Sequence, residues 1–124
     1  MVVHDLAADD ADVDRVFHAL ADSTRRDIVR QCLVGEHSVS ALARRYPMSF
    51  AAVQKHVTVL ESAALVTKHR RGREILVRGN IDRIAAAGRL LDEYEQLWRA
   101  RLDRFGEVLT ESTTDTTSNP RGNN

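Results

Sequence analysis

The stretch MSFAAVQKHVTVLE, residues 48–61, decides the fold, because its apolar residues recur with the period of an α-helix. On a helical wheel, Val53, Val57 and Leu60 fall on one side, which predicts a face packed in a core. The opposite face carries small or polar side chains and one cation, at Ala51, Gln54, Lys55, Thr58 and Ser62. Since it lacks the Glu/Lys pairs that stabilise solvated helix surfaces, we expect this face to insert into a partner.

Three shorter helices are predicted upstream, from apolar spacing and from polar residues that can cap a first turn. The second of them begins at Asp22 or Ser23 and ends at Gly35, and the third begins at Ser38. The tight connection YPMS, residues 46–49, leads from the third helix directly into the helix described above. This order predicts a helix-turn-helix.

A β-hairpin is predicted next. The β-prone runs LVTKH (65–69) and EILVR (74–78) flank RRGR, in which Gly72 can supply the turn. The tip of this hairpin is cationic. A helix-turn-helix followed by a basic hairpin is the order of a winged helix, so the sequence predicts a mainly α fold with one small β-hairpin.

The net charge of the 124 residues is zero, but it is unevenly distributed. Residues 1–14 sum to −5, residues 15–79 to +7 and residues 80–124 to −2. Within the basic part, residues 44–73 carry seven cations against Glu61 alone. A compact cationic surface on a neutral protein indicates a polyanionic partner. Ordinary arginine usage is the alternative, since 16 of the 18 cations are Arg.

A last helix is predicted from the capping residue Asn80 to about Thr110. Its apolar positions step by three and four with Glu95 as the single interruption. About 30 residues of helix span about 45 Å, which is more than so small a domain can cover. We therefore expect a second subunit to bury this row, the alternative being that the helix wraps its own domain. The expected dimer interface comprises Val16, Leu20, Ile84, Gly88, Leu91, Trp98, Leu102 and Phe105.

The chain is expected to form one domain, residues 13–110, between a flexible acidic arm, residues 1–12, and a tail, residues 111–124. The tail lacks any apolar residue and should be disordered. Cys32 is the single cysteine, which excludes an intramolecular disulfide and a cysteine-based zinc cage. With no membrane span or signal segment in the sequence, a cytoplasmic protein is expected.

Three segments carry a resemblance: FHALADSTRRDIV (17–29), SVSALARRYPMSFAAVQKHVTVLESAALV (38–66) and RRGREILVR (70–78). They resemble the patterns ALADPTRRxIL, SVxELAxxxxxSxxAVSKHLxxLxxAGLV and RxGRxxxY of the ArsR/SmtB family of bacterial winged-helix repressors. The stretch LDEYEQLWRARLDRF (91–105) is similar to the last helix of the metal-independent branch. The resemblance implies a homodimer, paired through its first and last helices, that binds an inverted repeat of double-stranded DNA near its own promoter. An unknown signal, such as a small-molecule inducer, would release it.

On this interpretation the polar helix face enters the major groove, while the hairpin contacts the backbone. The recognition helix would contact DNA through Ser49, Phe50, Ala51, Gln54, Lys55, His56 and Thr58. Further contacts with DNA would come from the rest of the helix-turn-helix and from the wing, through Ser38, Arg45, Lys68, Arg70, Arg71 and Arg73. His56 allows two interpretations, a half-buried ring bonded within the protein or a contact to the DNA backbone. Arg25 and Arg26 are expected to be structural or solvated rather than to contact bases.

Differences between this sequence and the family patterns indicate which kind of inducing signal to expect. Metal-sensing relatives have ELCVC where residues 36–40 read EHSVS, and the last helix has no His, so no metal site and no cofactor are expected. Cys32 is expected to fill the core, with a thiol- or metal-responsive sensor as the alternative. No catalytic constellation is present, which indicates that the protein is not an enzyme. A winged-helix module that binds protein is the remaining alternative, although Phe50 is the one aromatic residue that suits such a surface.

Overall fold

The structure, a computed structural model, describes residues 10–116. The described residues form five helices and three strands. In chain order these are α1 (Asp10–Leu20), α2 (Ser23–Val34), β1 (His37–Ser38), α3 (Val39–Ala43), α4 (Phe50–Ser62), β2 (Val66–Arg71), β3 (Glu74–Gly79) and α5 (Ile81–Thr116). The chain divides into two compact units, of which the first ends at Gly88 and the second begins at Arg89.

Side-chain caps fix the starts of three helices. The Asp22 carboxylate accepts the N–H of Arg25 at 3.0 Å, so Asp22 and not Ser23 caps α2. The Ser38 and Ser49 hydroxyls accept the N–H three residues further on, at 3.0 and 3.1 Å, and cap α3 and α4. The predicted starts of these helices are confirmed.

The first unit has an aliphatic core to which the helices and the strands both contribute. The largest fully buried side chains are those of Ile28, Leu42, Leu60, Leu65, Val16, Val53, Val57, Val66 and Val77. The two faces predicted for α4 are confirmed. Its apolar row is buried, and each residue of the opposite face is exposed.

The hairpin is confirmed but is part of a larger sheet with the strand order β1-β3-β2. In the missed strand β1, His37 pairs with Val77 and Ser38 with Leu76. The β2–β3 turn is tight, and Gly72 in it has φ +63°, the left-handed region that glycine enters without a steric penalty.

The end of α4 is a Schellman turn. The N–H of Leu65 bonds to the carbonyl of Leu60 at 3.0 Å, and the N–H of Ala64 bonds to the carbonyl of Glu61 at 2.9 Å. Leu60 and Leu65 are both buried, which supplies the apolar contact of this motif. Ala64 has φ +61° at the position that usually holds glycine. The turn directs the chain from α4 into β2, so it determines where the hairpin begins.

Both ends of the predicted domain were placed too far inward. Residues 10–12 of the expected arm belong to α1, and residues 111–116 of the expected tail belong to α5. The rest of the arm, residues 1–9, and of the tail, residues 117–124, lies outside the described residues. Along the described chain, no helix combines the length and hydrophobicity needed to cross a membrane.

Candidate nucleic-acid interface

The exposed face of α4 combines short side chains with two longer polar ones. Ala51, Gln54, Lys55 and Thr58, with Val59, line an open concavity on this face. The Thr58 hydroxyl donates to the backbone carbonyl of Gln54 at 3.0 Å. Thr58 therefore offers its methyl group and the lone pairs of its oxygen to a partner, whereas Gln54 and Lys55 offer polar groups at the ends of longer side chains.

The first turn of α4 adds two groups. Ser49 accepts the N–H of Ala52, which leaves its own O–H to donate. Phe50 next to it has an exposed aromatic ring, with a relative exposure of 49%. Both residues are placed at the helix N-terminus, where backbone N–H groups favour a negatively charged partner.

The wing, residues 66–79, carries three exposed arginines at its tip: Arg70, Arg71 and Arg73. Among the described residues, no ion pair involves any of the three. Arg73 and Gln54 line one cleft, together with Ser38 and Phe50. The structure thus brings together the start of α3, the exposed face of α4 and the wing tip.

Two other predicted contacts differ from each other. Lys68 Nζ lies 3.1 Å from Glu61 Oε1, at the end of α4. Its charge is therefore partly compensated within the chain, and we do not assign it a primary contact with a partner. Arg45 is exposed after α3, as its predicted role requires.

His56 is half-buried and bonded to Arg25, a residue 31 positions away. The same guanidinium donates to the carbonyls of Ala19 and His18 at the end of α1, at 2.7 and 3.1 Å. Arg26 donates to the carbonyl of Leu20 at 2.8 Å. Both arginines therefore have the structural role, one of the two expected, but the bond between Arg25 and His56 was missed.

Asp22 lies next to this group. The N–H of Arg25 lowers the pKa of the Asp22 carboxyl, because this backbone donor stabilises the ionised form. The start of α2 therefore keeps a carboxylate beside the cation of Arg25. No signal in the sequence placed α1, α2 and α4 around one guanidinium.

Of the residues expected at a dimer interface, Leu91, Trp98, Leu102 and Phe105 have relative exposures between 47% and 61%. Leu20 and Ile84 are partly buried against the core of the first unit, and a Cβ atom at Gly88 would meet no atom within 4 Å. Val16 was wrongly included. It has 0% exposure and no surface to offer a second subunit.

The described residues contain no group of three or more His, Cys, Asp or Glu side chains that could hold a metal ion. Cys32 is buried, with 3% of its surface exposed. Burial raises the pKa of its thiol to about 11, because the thiolate would lose its hydration. The side chain therefore behaves as part of the core.

Comparison with known proteins identifies the family. The HTH-type transcriptional regulator Rv2034 of Mycobacterium tuberculosis is 34% identical to the chain over 103 residues, which span 83% of this chain and 94% of the relative. An ArsR-like transcriptional regulator from Rhodococcus sp. RHA1 is 33% identical, with a TM-score of 0.70 over 79% of this chain and 92% of that chain.

This chain belongs to the ArsR family of transcriptional regulators. It is a DNA-binding regulator with a winged helix-turn-helix, in which α3 and α4 form the helix-turn-helix. The homodimeric winged helix-turn-helix DNA-binding domain of Mb0332 from Mycobacterium bovis, described as a possible ArsR-family regulator, has the same fold. It is 25% identical and has a TM-score of 0.60 over 77% of this chain and 90% of that chain. No protein-family model matches the sequence.

Proposed function

We propose that this ArsR-family regulator is a homodimeric repressor that binds an inverted-repeat operator in double-stranded DNA, including one that controls its own gene. The shared cleft of Gln54 and Arg73 supports this proposal most strongly, because it places the polar α4 face beside the cationic wing. A helix and a basic hairpin on one side of a small domain fit a major groove and its flanking phosphates.

Each group on the α4 face suits one kind of contact. Gln54 can form paired hydrogen bonds with adenine, and Lys55 can donate to guanine or to a phosphate. Ala51 and the Thr58 methyl suit a thymine methyl group. Ser49 retains an O–H for a phosphate, and the exposed ring of Phe50 offers apolar contact beside it.

The wing would supply affinity more than selectivity. Arg70, Arg71 and Arg73 would contact phosphates or the minor groove, which carry little of the base information found in the major groove. Ser38 and Arg45, which flank α3, would add contacts to the DNA backbone. Binding through these cations should weaken steeply with salt, because each neutralised phosphate releases counterions.

Dimerisation is proposed from the exposed row on α5. The described part of α5 exposes nine large hydrophobic side chains, which would be an unusual surface for a monomer in water. A twofold-symmetric pair presents two identical recognition helices, so its operator should be an inverted repeat with half-sites about one helical turn, or a multiple of it, apart.

Selection of bound duplexes from a random-sequence library tests the proposal. We expect enrichment of an inverted repeat, a dimer on that repeat by sedimentation, and loss of binding as salt is raised. The upstream region of its own gene should contain the repeat and be protected from nuclease digestion. Failure to enrich any duplex, from a protein that is folded and dimeric, would contradict the proposal and favour the protein-binding module.

The remaining assignments follow from this role. A regulator of chromosomal DNA would act in the cytoplasm, without a catalytic reaction or a cofactor. The buried, weakly acidic thiol of Cys32 favours release by something other than thiol chemistry. The inducer would then be a small molecule.

A further inference from the structure

A single guanidinium joins three helices of the first unit. Arg25 belongs to α2, its Nε and Nη2 bond to the last carbonyls of α1, and its Nη1 lies 3.2 Å from Nδ1 of His56 on α4. The two α1 carbonyls hold the guanidinium in place, so the protein itself fixes the position of Nη1 relative to α4. Arg25 is thus the one described residue with side-chain bonds to both α1 and α4.

The chemistry of this contact decides which ring nitrogen of His56 carries the proton. An arginine side chain is always charged and can only donate hydrogen bonds. Nδ1 of His56 must therefore accept, which requires it to be unprotonated. The neutral ring then carries its proton on Nε2. A doubly protonated ring would place a second cation against Arg25, with Asp22 as the nearby anion.

The other ring nitrogen is open to solvent. Among the described residues, the single side-chain polar atom that is buried without a hydrogen-bond partner is Arg83 Nη1. Nε2 of His56 also has no hydrogen-bond partner within the described chain. Since Arg83 Nη1 is the single atom that is both buried and without a partner, Nε2 of His56 must be accessible to solvent. A half-buried imidazole therefore presents one N–H outward, next to Lys55 on the recognition helix.

We propose that Arg25 is a positioning residue that holds His56 as the Nε2–H tautomer, and that this N–H donates to a DNA phosphate. The inference rests on the proposed DNA binding. A phosphate is the expected acceptor because His56 lies at the border between the buried row and the exposed face of α4, and a backbone flanks a helix seated in the groove. The contact is made by an uncharged ring, so it adds affinity without releasing a counterion.

The first test needs no DNA. Nitrogen-15 NMR of the imidazole of the free protein, above the ordinary histidine pKa of about 6.5, reports which nitrogen is protonated. We expect Nε2–H in the wild type and in Arg26→Met, and a mixture of tautomers in Arg25→Met. Arg26 is a matched control because it donates to Leu20 and does not touch His56. A wild-type ring protonated at Nδ1, or at both nitrogens, would overturn the inference.

The second test uses labelled duplex DNA of random sequence, since a phosphate contact does not depend on sequence. A glutamine side-chain amide can place an N–H near the position of Nε2, whereas leucine cannot. We expect His56→Leu to weaken binding by roughly ten- to a hundred-fold per subunit, as for a hydrogen bond to a charged group. We expect His56→Gln to recover most of the loss, with the same dependence of log K on log salt in all three proteins.

The outcomes separate the two claims. Binding by His56→Leu equal to the wild type, or a salt slope lowered by about 1 per subunit, would overturn the phosphate contact and leave the proposed function standing. A folded wild type that binds no duplex would overturn the proposed function itself. In that case the NMR result would still decide whether Arg25 sets the tautomer.

Discussion

Replacing Ala64 with glycine should stabilise the protein, although it removes a methyl group. Ala64 has φ +61° in the Schellman turn that ends α4, and it stands where the family pattern LxxAGLV has glycine. The left-handed conformation brings Cβ close to a carbonyl oxygen, which costs about 1–2 kcal/mol for a residue other than glycine. Neither hydrogen bond of the turn, nor the bond from Asn80 Nδ2 to the Ala64 carbonyl, uses the methyl group of Ala64, so glycine can keep all three.

The expected magnitude follows from two opposing terms. Relief of the left-handed conformation contributes about 1–2 kcal/mol, and the larger backbone entropy of glycine in the unfolded chain removes about 0.5–1 kcal/mol. The free energy of unfolding should therefore rise in Ala64→Gly, by an amount between about 0 and 1.5 kcal/mol. Ala64→Val should lower it by more than 1 kcal/mol, roughly, because a branched side chain fits this conformation worse.

Urea unfolding followed by circular dichroism measures the effect, with all variants at one protein concentration so that dimerisation contributes equally. Ala63→Gly is the matched control. Ala63 precedes Ala64, has φ −86° and is buried, so there the same substitution should destabilise the protein. If both glycine variants lost stability alike, the strain assigned to Ala64 would be refuted.

Three further outcomes are expected. The pKa of about 11 leaves roughly one Cys32 thiol in ten thousand ionised at neutral pH. Iodoacetamide should therefore react slowly with the folded protein and quickly in urea. Rapid reaction with the folded protein would contradict the burial of this thiol. Leu102→Glu should dissociate the dimer in sedimentation, because an unpaired charge in a desolvated interface costs several kcal/mol. The control Gln96→Glu should remain a dimer, and a dimeric Leu102→Glu would argue against the α5 interface. Tyr46 donates to Asp27 at 2.6 Å, so Tyr46→Phe should lower the free energy of unfolding by about 1–2 kcal/mol, and an unchanged urea midpoint would show that this bond is not stabilising.

Local signals in the sequence predicted most of the fold. The caps at Ser38 and Ser49 and the apolar row of α4 depend on neighbours within one or two turns, and the structure confirms them. Strand β1 has two residues, too few for a period to be recognised, and its partners Val77 and Leu76 are nearly 40 positions away. Its pairing is a tertiary contact that sequence spacing does not encode.

The limits of the sequence prediction are clearest around Arg25 and Val16. The pair STRR indicated structural or solvated arginines, but the contact of Arg25 with His56 joins residues 31 positions apart and depends on how α2 packs near α4. Val16 lies on an apolar face of α1, and apolar spacing does not distinguish a side chain buried in its own core from one buried against a second subunit.

The central claim is that the exposed face of α4 identifies the operator while the wing binds the backbone, and titration of two variants tests it most directly. Gln54→Ala and Arg71→Ala would be titrated with operator and with scrambled duplex at several salt concentrations. Gln96→Ala, an exposed change on α5 outside the predicted DNA contacts, would serve as control. We expect Gln54→Ala to weaken operator binding by about 1–3 kcal/mol and to leave the scrambled duplex almost unaffected. Arg71→Ala should weaken both duplexes and reduce the slope of log K against log salt by about 1 per lost phosphate contact. Equal weakening of both duplexes by Gln54→Ala would contradict the account, since the α4 face would then contact only the DNA backbone.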